Sequence, residues 1–309
     1  TCKIVQGSPI GDLVDCKRRK QMKILVLVSS PNSTLESVRT DGKKKMRAIL
    51  GQDKELLFCE YSTIEIQRDG ELFTCLGEKI DKPDYFWPVL SATDGFIVEN
   101  MLQNAGIESI LDLKELQTAR SKIATYQRFA QHGIRVPDTV VFFKDSERQL
   151  LADRFGYPFV VKPDSGFGGE GVELIHNEAE LQDYFAKLSY GQAYVAQEYI
   201  ATSKGRDIRV VILHGKYYFS MERRASDPKE FRSNVHVGGT TSLVTLTDEE
   251  KAFCEKAASI FDLPILGLDL MIGDGEYVLA EVNAFPGMPG GKMVDAYASV
   301  IDHFLEGKA

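Results

Sequence analysis

The sequence has few cysteines and spaces them widely. Its 309 residues include Cys2, Cys16, Cys59, Cys75 and Cys254, an odd number with no CxxC pair. Zinc sites and disulfide frameworks need paired or closely spaced cysteines, so this spacing argues against both. Unpaired thiols are typical of a reducing compartment, and we therefore expect a cytoplasmic protein.

Basic residues and long apolar runs are also scarce. The 37 lysines and arginines are outnumbered by 45 aspartates and glutamates, which gives a net charge of -8. This balance gives no electrostatic support to a nucleic-acid-binding role. No apolar run reaches the ~18 residues of a membrane span. We therefore expect neither nucleic acid nor membrane as a partner.

The first apolar run lies at 22–28 and follows four basic residues at 17–20. It is at the lower length limit of a signal-peptide core, and residues 29–33 contain no cleavage-like motif. The run therefore predicts a buried first β-strand. Residues 1–21 are expected to form an extension ahead of the first domain.

Apolar and helical patterns alternate over the first third of the chain. Strands are predicted at 22–28, 56–61 and 85–90, and helices at 43–50 and 93–105. Such alternation is typical of a small α/β domain with a largely parallel sheet.

The rest of the chain has two further patterns. A long helix at 115–132 precedes strands and helices at 139–143, 146–155, 159–163, 172–175 and 178–188. From residue 194 the strands follow one another, which predicts an antiparallel or mixed sheet. Those runs are 194–200, 207–213, 217–223, 241–246, 264–272 and 276–283, with helices near 248–261 and 292–306.

Oxygen-bearing side chains interrupt two of these apolar strands. Asp269 lies in one, and Glu281 and Asn283 lie in the next. Charges inside such runs are normally paired or metal-bound. Glu281 and Asn283 are two residues apart, so they share one face of a strand. Carboxylates with an amide oxygen suit magnesium, usually together with phosphate, which indicates nucleotide chemistry.

Strand register gives a test of these faces. Asp269 and Glu281 share a face only if the loop around 274–275 has an odd number of residues or the hairpin is irregular. The Asp-Gly pair at 274–275 favours a two-residue turn, which has the wrong parity. We therefore predict a bulge or a three-residue loop at 273–276.

A lysine and a glycine-rich loop follow one another after a predicted strand. Lys162 ends an apolar run, and the loop at 164–171 contains four glycines. A buried lysine needs an anion, and glycines let backbone N–H groups approach phosphates closely. The loop taken alone fits a mobile hairpin equally well, whereas Lys162 directly before it favours a phosphate-binding lid.

Three arginines lie close together in the strand-rich region. Asp207 and Arg209 share a strand face, Arg223 ends the next strand, and Arg232 lies two residues before Asn234. Arginine keeps its charge and binds oxyanions through two N–H groups, so the group could surround a transferring phosphate. Each arginine alone would be assigned to a surface salt bridge. For Arg209 and Arg223 to share a face, the same parity argument requires a bulge or an odd loop between their strands.

The local sequence alone does not establish a functional role for two further segments. Lys122 is interpreted as a solvated helix charge. Residues 197–200 fit a plain strand end as well as a backbone segment that reads the edge of adenine.

Together these motifs resemble the ATP-grasp superfamily and, within it, the RimK-like carboxylate–amine ligases. The resemblance covers most of the chain from Met22, in the family's order and at similar spacing. In one departure, a second arginine, Arg224, follows Arg223 where a neutral residue is expected. The matching segments are 120–122, 160–162, 164–171, 197–200, 205–209, 231–234 with 238–239, 267–269 and 281–284.

The resemblance implies an α/β (α+β) ATP-grasp fold in three parts. A pre-ATP-grasp α/β domain would span 22–110, a central lid subdomain 111–193, and a C-terminal mixed-sheet subdomain 194–309. ATP would lie between the last two parts. Relatives of this kind are often oligomers, so a homo-oligomer is expected.

The resemblance also implies a role for each site residue. Those expected at the ATP phosphates are Lys122, Lys162, Gly168 and Gly169. Those expected at adenine and ribose are Gln197, Glu198, Tyr199, Ile200 and Asp207. Those expected to bind two Mg²⁺ ions, for which Mn²⁺ can substitute, are Asp269, Glu281 and Asn283. Those expected to steady the transferring phosphoryl group are Arg209, Arg223, Arg232 and Asn234.

The activity implied is that of an ATP-dependent ligase. A carboxylate would attack the γ-phosphate to give an acyl phosphate and ADP, and an amine would then displace phosphate to form an amide. The resemblance suggests L-glutamate as the amine and a protein, peptide or small molecule as the acceptor. One alternative is a macrocyclase that joins side chains of a precursor peptide through ester or amide links. Another is an ATP-binding regulatory protein without catalysis, although every expected phosphate and metal ligand is present in the sequence.

Overall fold

A computed structural model gives the fold. Strands and helices are numbered in the order in which they occur along the chain. The predicted helix at 43–50, the extension at 1–21 and Asn234 lie outside the described residues. Those residues are 22–28, 54–60, 64–66, 72–75, 78–89, 95–166, 168–233, 238–273, 275–289 and 291–308.

The N-terminal region contains the predicted parallel sheet. Its strand order is β2-β1-β6-β7, and every pairing is parallel. Residues 24–27 of the central strand are all buried, as expected for a strand covered on both faces. The elements are β1 (Met22–Val28), β2 (Lys54–Glu60), β6 (Tyr85–Val89), helix α1 (Gly95–Asn104) and β7 (Glu108–Ser109).

The sequence interpretation missed a small antiparallel sheet in this region. Its strands are β3 (Ile64–Ile66), β4 (Leu72–Cys75) and β5 (Glu78–Asp81), in that order. Strands of three or four residues are too short to give a clear alternation of apolar and polar side chains.

The single helix predicted at 115–132 is wrong, because the chain breaks at Ser121. Two helices result, α2 (Leu113–Arg120) and α3 (Lys122–Gln131). Ser121 has an extended backbone (φ -95°, ψ 119°), and its hydroxyl oxygen accepts a hydrogen bond from the Ala124 N–H at 3.1 Å. A serine N-cap of this kind starts a new helix.

The central region forms a four-stranded antiparallel sheet with order β10-β9-β11-β8. Helices α4 (Gln149–Phe155) and α5 (Glu178–Lys187) accompany it. Its buried apolar side chains form their own core, and the predicted boundary after residue 193 lies immediately before β11, which completes this sheet. The strands are β8 (Thr139–Phe142), β9 (Phe159–Pro163), β10 (Glu173–Ile175) and β11 (Tyr194–Glu198).

The C-terminal region forms a five-stranded antiparallel sheet with order β14-β13-β12-β15-β16. A 3₁₀ turn at Ala201–Ser203 leads into it, and helices α6 (Asp248–Ala258) and α7 (Lys292–Glu306) accompany it. The strands are β12 (Arg206–Leu213), β13 (Lys216–Arg224), β14 (Thr240–Leu243), β15 (Ile265–Ile272) and β16 (Tyr277–Asn283).

Both hairpins of this sheet contain the predicted irregularity. Asp269 pairs with Glu281, but Leu270 pairs with Leu279, so Ala280 is the bulged residue. The bulge therefore lies within β16 and not at 273–276. In the β12–β13 hairpin the register shifts between Val211 and Ile212, at Tyr218 on the partner strand. The faces assigned to the charged residues are confirmed.

The N-terminal and C-terminal sheets share one hydrophobic core. The Trp87 ring lies 5.6 Å from Tyr297 and 6.4 Å from Phe285, centroid to centroid. The central sheet has a separate hydrophobic core of its own. Across the part of the chain that the structure describes, no helix is both long and apolar enough to span a membrane.

Candidate active site

A cleft of about 960 Å³, including its open mouth, lies between the central sheet and the C-terminal sheet. Along β9 the side chains alternate: Phe159 and Val161 are buried, while Val160 and Lys162 line the cleft. The opposite wall includes Met271, so the cleft combines apolar walls with charged groups. Such a combination suits a nucleotide.

Lys122 is a buried cleft residue, which corrects its local interpretation as a solvated helix charge. Its Nζ lies 3.3 Å from Oε1 of Glu281 and donates a hydrogen bond to the carbonyl oxygen of Asp164 at 3.3 Å. A buried lysine needs such partners because an isolated ammonium is costly to desolvate.

Lys162 is a second cation of the cleft, and its side chain is half-buried. Its ammonium lies 5.6 Å from the centre of the Tyr126 ring. Burial lowers the pKa of Lys162 to about 8, because desolvation disfavours the charged form, while Glu281 and Asp269 oppose the shift. An incoming anion would therefore meet an ammonium that lacks full solvation.

The glycine loop has the backbone that its sequence predicts. Gly166, Gly168, Gly169 and Gly171 all have positive φ, between 69° and 144°, where side chains are disfavoured. The loop is joined to the C-terminal region by Arg232, whose Nη1 donates a hydrogen bond to the Gly169 carbonyl oxygen at 3.0 Å.

The segment 197–200 joins the two walls of the cleft. Gln197 is buried, and its amide donates to the Thr139 hydroxyl at 2.8 Å. Oε1 of Glu198 accepts the backbone N–H of Asp138 at 3.0 Å. Tyr199 and Ile200 line the cleft, and the Tyr199 ring packs edge-on against Phe231.

Four charged side chains alternate in sign along one face of the C-terminal sheet. Arg209 donates from Nε and Nη2 to both oxygens of Asp269, each at 2.8 Å. Arg223 donates to Oδ2 of the same carboxylate at 2.8 Å and to Oδ1 of Asp207 at 2.7 Å. Arg223, Asp207 and Asp269 are buried. Their faces agree because the strands pair in the register described above.

These contacts determine the charge states. Burial alone would raise the pKa of Asp269, but the guanidinium groups of Arg209 and Arg223 hold it well below its usual range. Burial raises the pKa of Asp207 against the opposing effect of Arg223. Arg223 stays protonated because both carboxylates raise its pKa despite burial.

The three residues expected at the metal lie together. Asp269 and Glu281 are directly opposed on β15 and β16, and the Asn283 amide nitrogen lies 3.2 Å from Oδ2 of Asp269. Two carboxylates and an amide fit the oxygen donors that Mg²⁺ prefers, once the amide turns its oxygen inward. No group of three or more His, Cys, Asp or Glu suited to a metal occurs among the residues with described positions.

The structure also locates the remaining predicted residues. Asp207 lines the cleft, but its carboxylate is held by Arg223, so its expected contact with ribose stays a prediction. Arg224 turns away from Arg223 and binds the Glu222 carboxylate at 2.6 Å. Asn234 lies outside the described residues.

Sequence reasoning missed two residues that support the site. The Asp164 carboxylate accepts hydrogen bonds from the Ser121 hydroxyl and the Ile123 N–H, at 3.0 Å and 2.8 Å. The buried Tyr126 hydroxyl donates to the carbonyl oxygen of the bulged Ala280 at 2.6 Å. Tyr126 could have been found from the sequence, because it lies four residues after Lys122 on the same helix face. For Asp164, the only sequence feature that pointed to the site was its place at the start of the glycine loop.

Residues 119–302 match the family described as RimK-like ATP-grasp domain. The chain therefore belongs to this family, and it is an ATP-dependent carboxylate–amine ligase. The match confirms the resemblance found in the motifs.

Curated relatives are about one-third identical to this chain over the aligned residues. A protein of Hydrogenovibrio crunogenus named "Probable alpha-L-glutamate ligase" is 32% identical, over 69% of this chain and 72% of its own length. "Probable alpha-L-glutamate ligase 1" of Pseudoalteromonas atlantica is 30% identical, over 93% and 96%. The similarity thus extends beyond the ATP-grasp domain to nearly the full length of some relatives.

Solved structures show the same fold. A D-alanine–D-alanine ligase from Bacillus anthracis, complexed with ATP, superposes with a TM-score of 0.64 at 23% identity, over 92% of this chain and 96% of its own. The ATP-grasp ligase PsnB, complexed with a minimal precursor, gives 0.58 at 19% identity, over 93% and 99%. At these identities the likeness concerns the fold alone.

Proposed function

We propose that this ligase adds L-glutamate to a carboxylate of a protein, peptide or small-molecule acceptor and couples the reaction to ATP hydrolysis to ADP and phosphate. One observation carries the proposal: Lys162 of the central sheet, Lys122 of helix α3 and an arginine–carboxylate row of the C-terminal sheet converge on a single cleft. Glutamate is taken from the names of the curated relatives.

In the proposed first step, an acceptor carboxylate oxygen attacks the γ-phosphorus of ATP. The bond to the β–γ bridging oxygen breaks, and ADP and an acyl phosphate form. Lys122 and Lys162 would bind the phosphate oxygens, and Arg209 and Arg223 would stabilise the charge of the transferring group. Fixed cations in a partly desolvated cleft need little reorganisation, which is how phosphoryl transfer is normally accelerated.

In the second step, the amine nitrogen of glutamate attacks the acyl carbon and phosphate leaves. The amine loses a proton, and the new bond is an amide. Arg232 and Asn234 are proposed to contact the phosphoryl group on the side of the glycine loop. A nucleophilic side chain is not required, because both nucleophiles are substrates.

Two divalent ions are proposed to bind through Asp269, Glu281 and Asn283. Mg²⁺, or Mn²⁺ in its place, would supply charge neutralisation for the phosphates of ATP when bound. Asp269 already accepts hydrogen bonds from two arginines, and Glu281 forms an ion pair with Lys122, so these cations hold both carboxylates on one face of the sheet.

The direct test is magnesium-dependent ADP release from ATP with L-glutamate as the added substrate, with products identified by mass spectrometry. ADP together with products that grow by successive glutamate units would support the proposal. Glu281→Gln should abolish turnover. Glu276→Gln is the matched control, since Glu276 lies in the same hairpin but forms an exposed pair with Arg135.

A different result would redirect the assignment. If ATP binds tightly but glutamate does not stimulate ADP release, a dedicated acceptor such as a precursor peptide should be tried next. If Glu281→Gln retains full activity, the proposed metal site is wrong.

A further inference from the structure

Helix α3 begins at the base of the cleft, and its N-terminus is completed by a residue of the glycine loop. The Ala124 N–H is bound by the Ser121 hydroxyl. The Ile123 N–H donates to Oδ1 of Asp164 at 2.8 Å, and the Lys122 N–H donates to the carbonyl oxygen of Asp164 at 3.2 Å. These are the N–H groups that a helix cannot satisfy within its own backbone.

Asp164 also orders the cap itself. The Ser121 hydroxyl, which accepts from Ala124, donates its own proton to Oδ1 of Asp164 at 3.0 Å. A carboxylate at this end of a helix is favoured by the helix dipole. The capping group of α3 is therefore shared between a local serine and an aspartate more than 40 residues away along the chain.

The backbone carbonyl oxygen of Asp164 also contacts the Lys122 side chain. The carbonyl oxygen of Asp164 accepts from both the backbone N–H and Nζ of Lys122, at 3.2 Å and 3.3 Å. Nζ is thus held at Glu281, where a phosphate would be expected. Lys162 lies two residues before Asp164, so one short segment relates both lysines.

Asp164 is itself anchored to the central sheet, because its N–H donates to the carbonyl oxygen of Ala193 at 3.0 Å. Helix α3, by contrast, contributes Phe129 to the main core. Asp164 therefore joins two separately packed parts of the protein at the point where Lys122 enters the cleft.

We propose that Asp164 is a positioning residue that directs the Lys122 ammonium toward the nucleotide phosphates by capping helix α3 from the glycine loop. Because Lys122 is assigned to the phosphates only by the proposed function, this inference rests on that assignment. It adds a residue that would not itself touch substrate.

The test is a double-mutant cycle read by ADP binding in isothermal titration calorimetry, a measurement that does not depend on the identity of the acceptor. Asp164→Ala should weaken ADP binding about tenfold in the wild-type background and less than about twofold in the Lys122→Met background. Asp164→Asn keeps an acceptor oxygen and should stay within about threefold of wild type. Asp183→Ala, on an exposed face of the lid helix α5, is the matched control and should have no effect.

Each other outcome would overturn the inference. Equal losses in the two backgrounds would show that Asp164 acts independently of Lys122, and no loss in either would show that the cap is irrelevant to binding. An unchanged affinity in Lys122→Met would remove the phosphate role of Lys122 and the inference with it. Glutamate transfer is measured separately from product mass, so a failed ligase assignment would leave this result interpretable. Circular dichroism on each variant checks folding. If the alanine variant does not fold, Asp164→Leu, which has a similar shape but no acceptor oxygen, replaces it in both backgrounds.

Discussion

Asp269 receives hydrogen bonds from two arginines, and this arrangement makes it an unusual buried acid. Desolvation would normally neutralise a carboxyl group in such a place, yet Arg209 and Arg223 keep its pKa low. Asp207 in turn holds the far side of Arg223. Each guanidinium is thereby held in a fixed orientation, which would reduce the reorganisation needed during the proposed phosphoryl transfer.

The adjacent arginines Arg223 and Arg224 allow a sharp comparison. Arg223→Met should lower kcat/KM at least about a hundredfold, because it removes a charge that we propose to face the transferring group. Arg224→Met should change it less than about threefold, since Arg224 points away from Arg223 and its own side chain is largely exposed. Steady-state ADP release measures both. Equal losses in the two variants would contradict the assigned faces.

The depressed pKa of Lys162 predicts a pH dependence of nucleotide binding. The ammonium is charged below about pH 8 and loses its proton above it, so attraction to phosphate falls as pH rises. Without metal, the dissociation constant for ADP should rise about tenfold between pH 7 and pH 9. Lys162→Arg stays charged over this range, so its profile should be nearly flat. A flat wild-type profile would contradict the prediction.

The β15–β16 hairpin shows how a strand irregularity orients the site. Without the extra residue at Ala280, one of Asp269 and Glu281 would face the opposite side of the sheet. Two hydrogen bonds to other segments fix the bulge. The Tyr126 hydroxyl donates to the carbonyl oxygen of Ala280, and the Leu279 N–H donates to the carbonyl oxygen of Arg135. Bulges of this kind commonly re-aim side chains beside active sites.

Removing the Tyr126 hydroxyl should loosen this bulge. Tyr126→Phe leaves the half-buried Ala280 carbonyl without this donor and should lower the free energy of unfolding by about 1–3 kcal/mol. Urea denaturation followed by circular dichroism measures the change. Tyr190→Phe is the control, because Tyr190 is 80% exposed and should be neutral within about 0.5 kcal/mol. A Tyr126 variant as stable as the control would show that the hydrogen bond is unimportant.

The residues that the structure describes form two hydrophobic cores, one in a body and one in a lid. The body joins the N-terminal sheet to the C-terminal sheet through Trp87, Phe285 and Tyr297, whereas the central sheet packs on its own. The cleft lies between these units, and Arg232 and Asp164 bridge them at opposite ends of the glycine loop. A relative movement of the lid would therefore break polar contacts without exposing either core.

Trp87 provides a test of the shared core. Trp87→Ala removes a 99% buried ring between the two sheets and should cost about 3–5 kcal/mol of unfolding free energy. Phe143→Ala is a matched control on the lid, since Phe143 is 46% exposed and should cost less than about 1 kcal/mol. Urea denaturation followed by circular dichroism measures both. A Trp87 variant that loses no more than the control would show that the sheets do not depend on each other.

Local patterns were sufficient for much of this protein. The buried strand at 22–28, the glycine loop, and the period-two placement of Glu281 and Asn283 follow from short-range chemistry that any packing must respect. The order of these motifs was specific enough to indicate the family. Strand parity also required a bulge or an odd loop in each of two hairpins, and both hairpins contain a register shift.

Contacts between distant segments settled the rest. The helix break at Ser121 depends on Asp164, the burial of Lys122 depends on Glu281, and the position of the bulge depends on Tyr126, each partner lying 40 or more residues away in sequence. Hydrogen-bond and ion-pair partners depend on which surfaces pack together. The local periodicity of the sequence does not predict that packing. The sequence therefore indicated most of the charged residues of the candidate site, while folding determined the partner of each one.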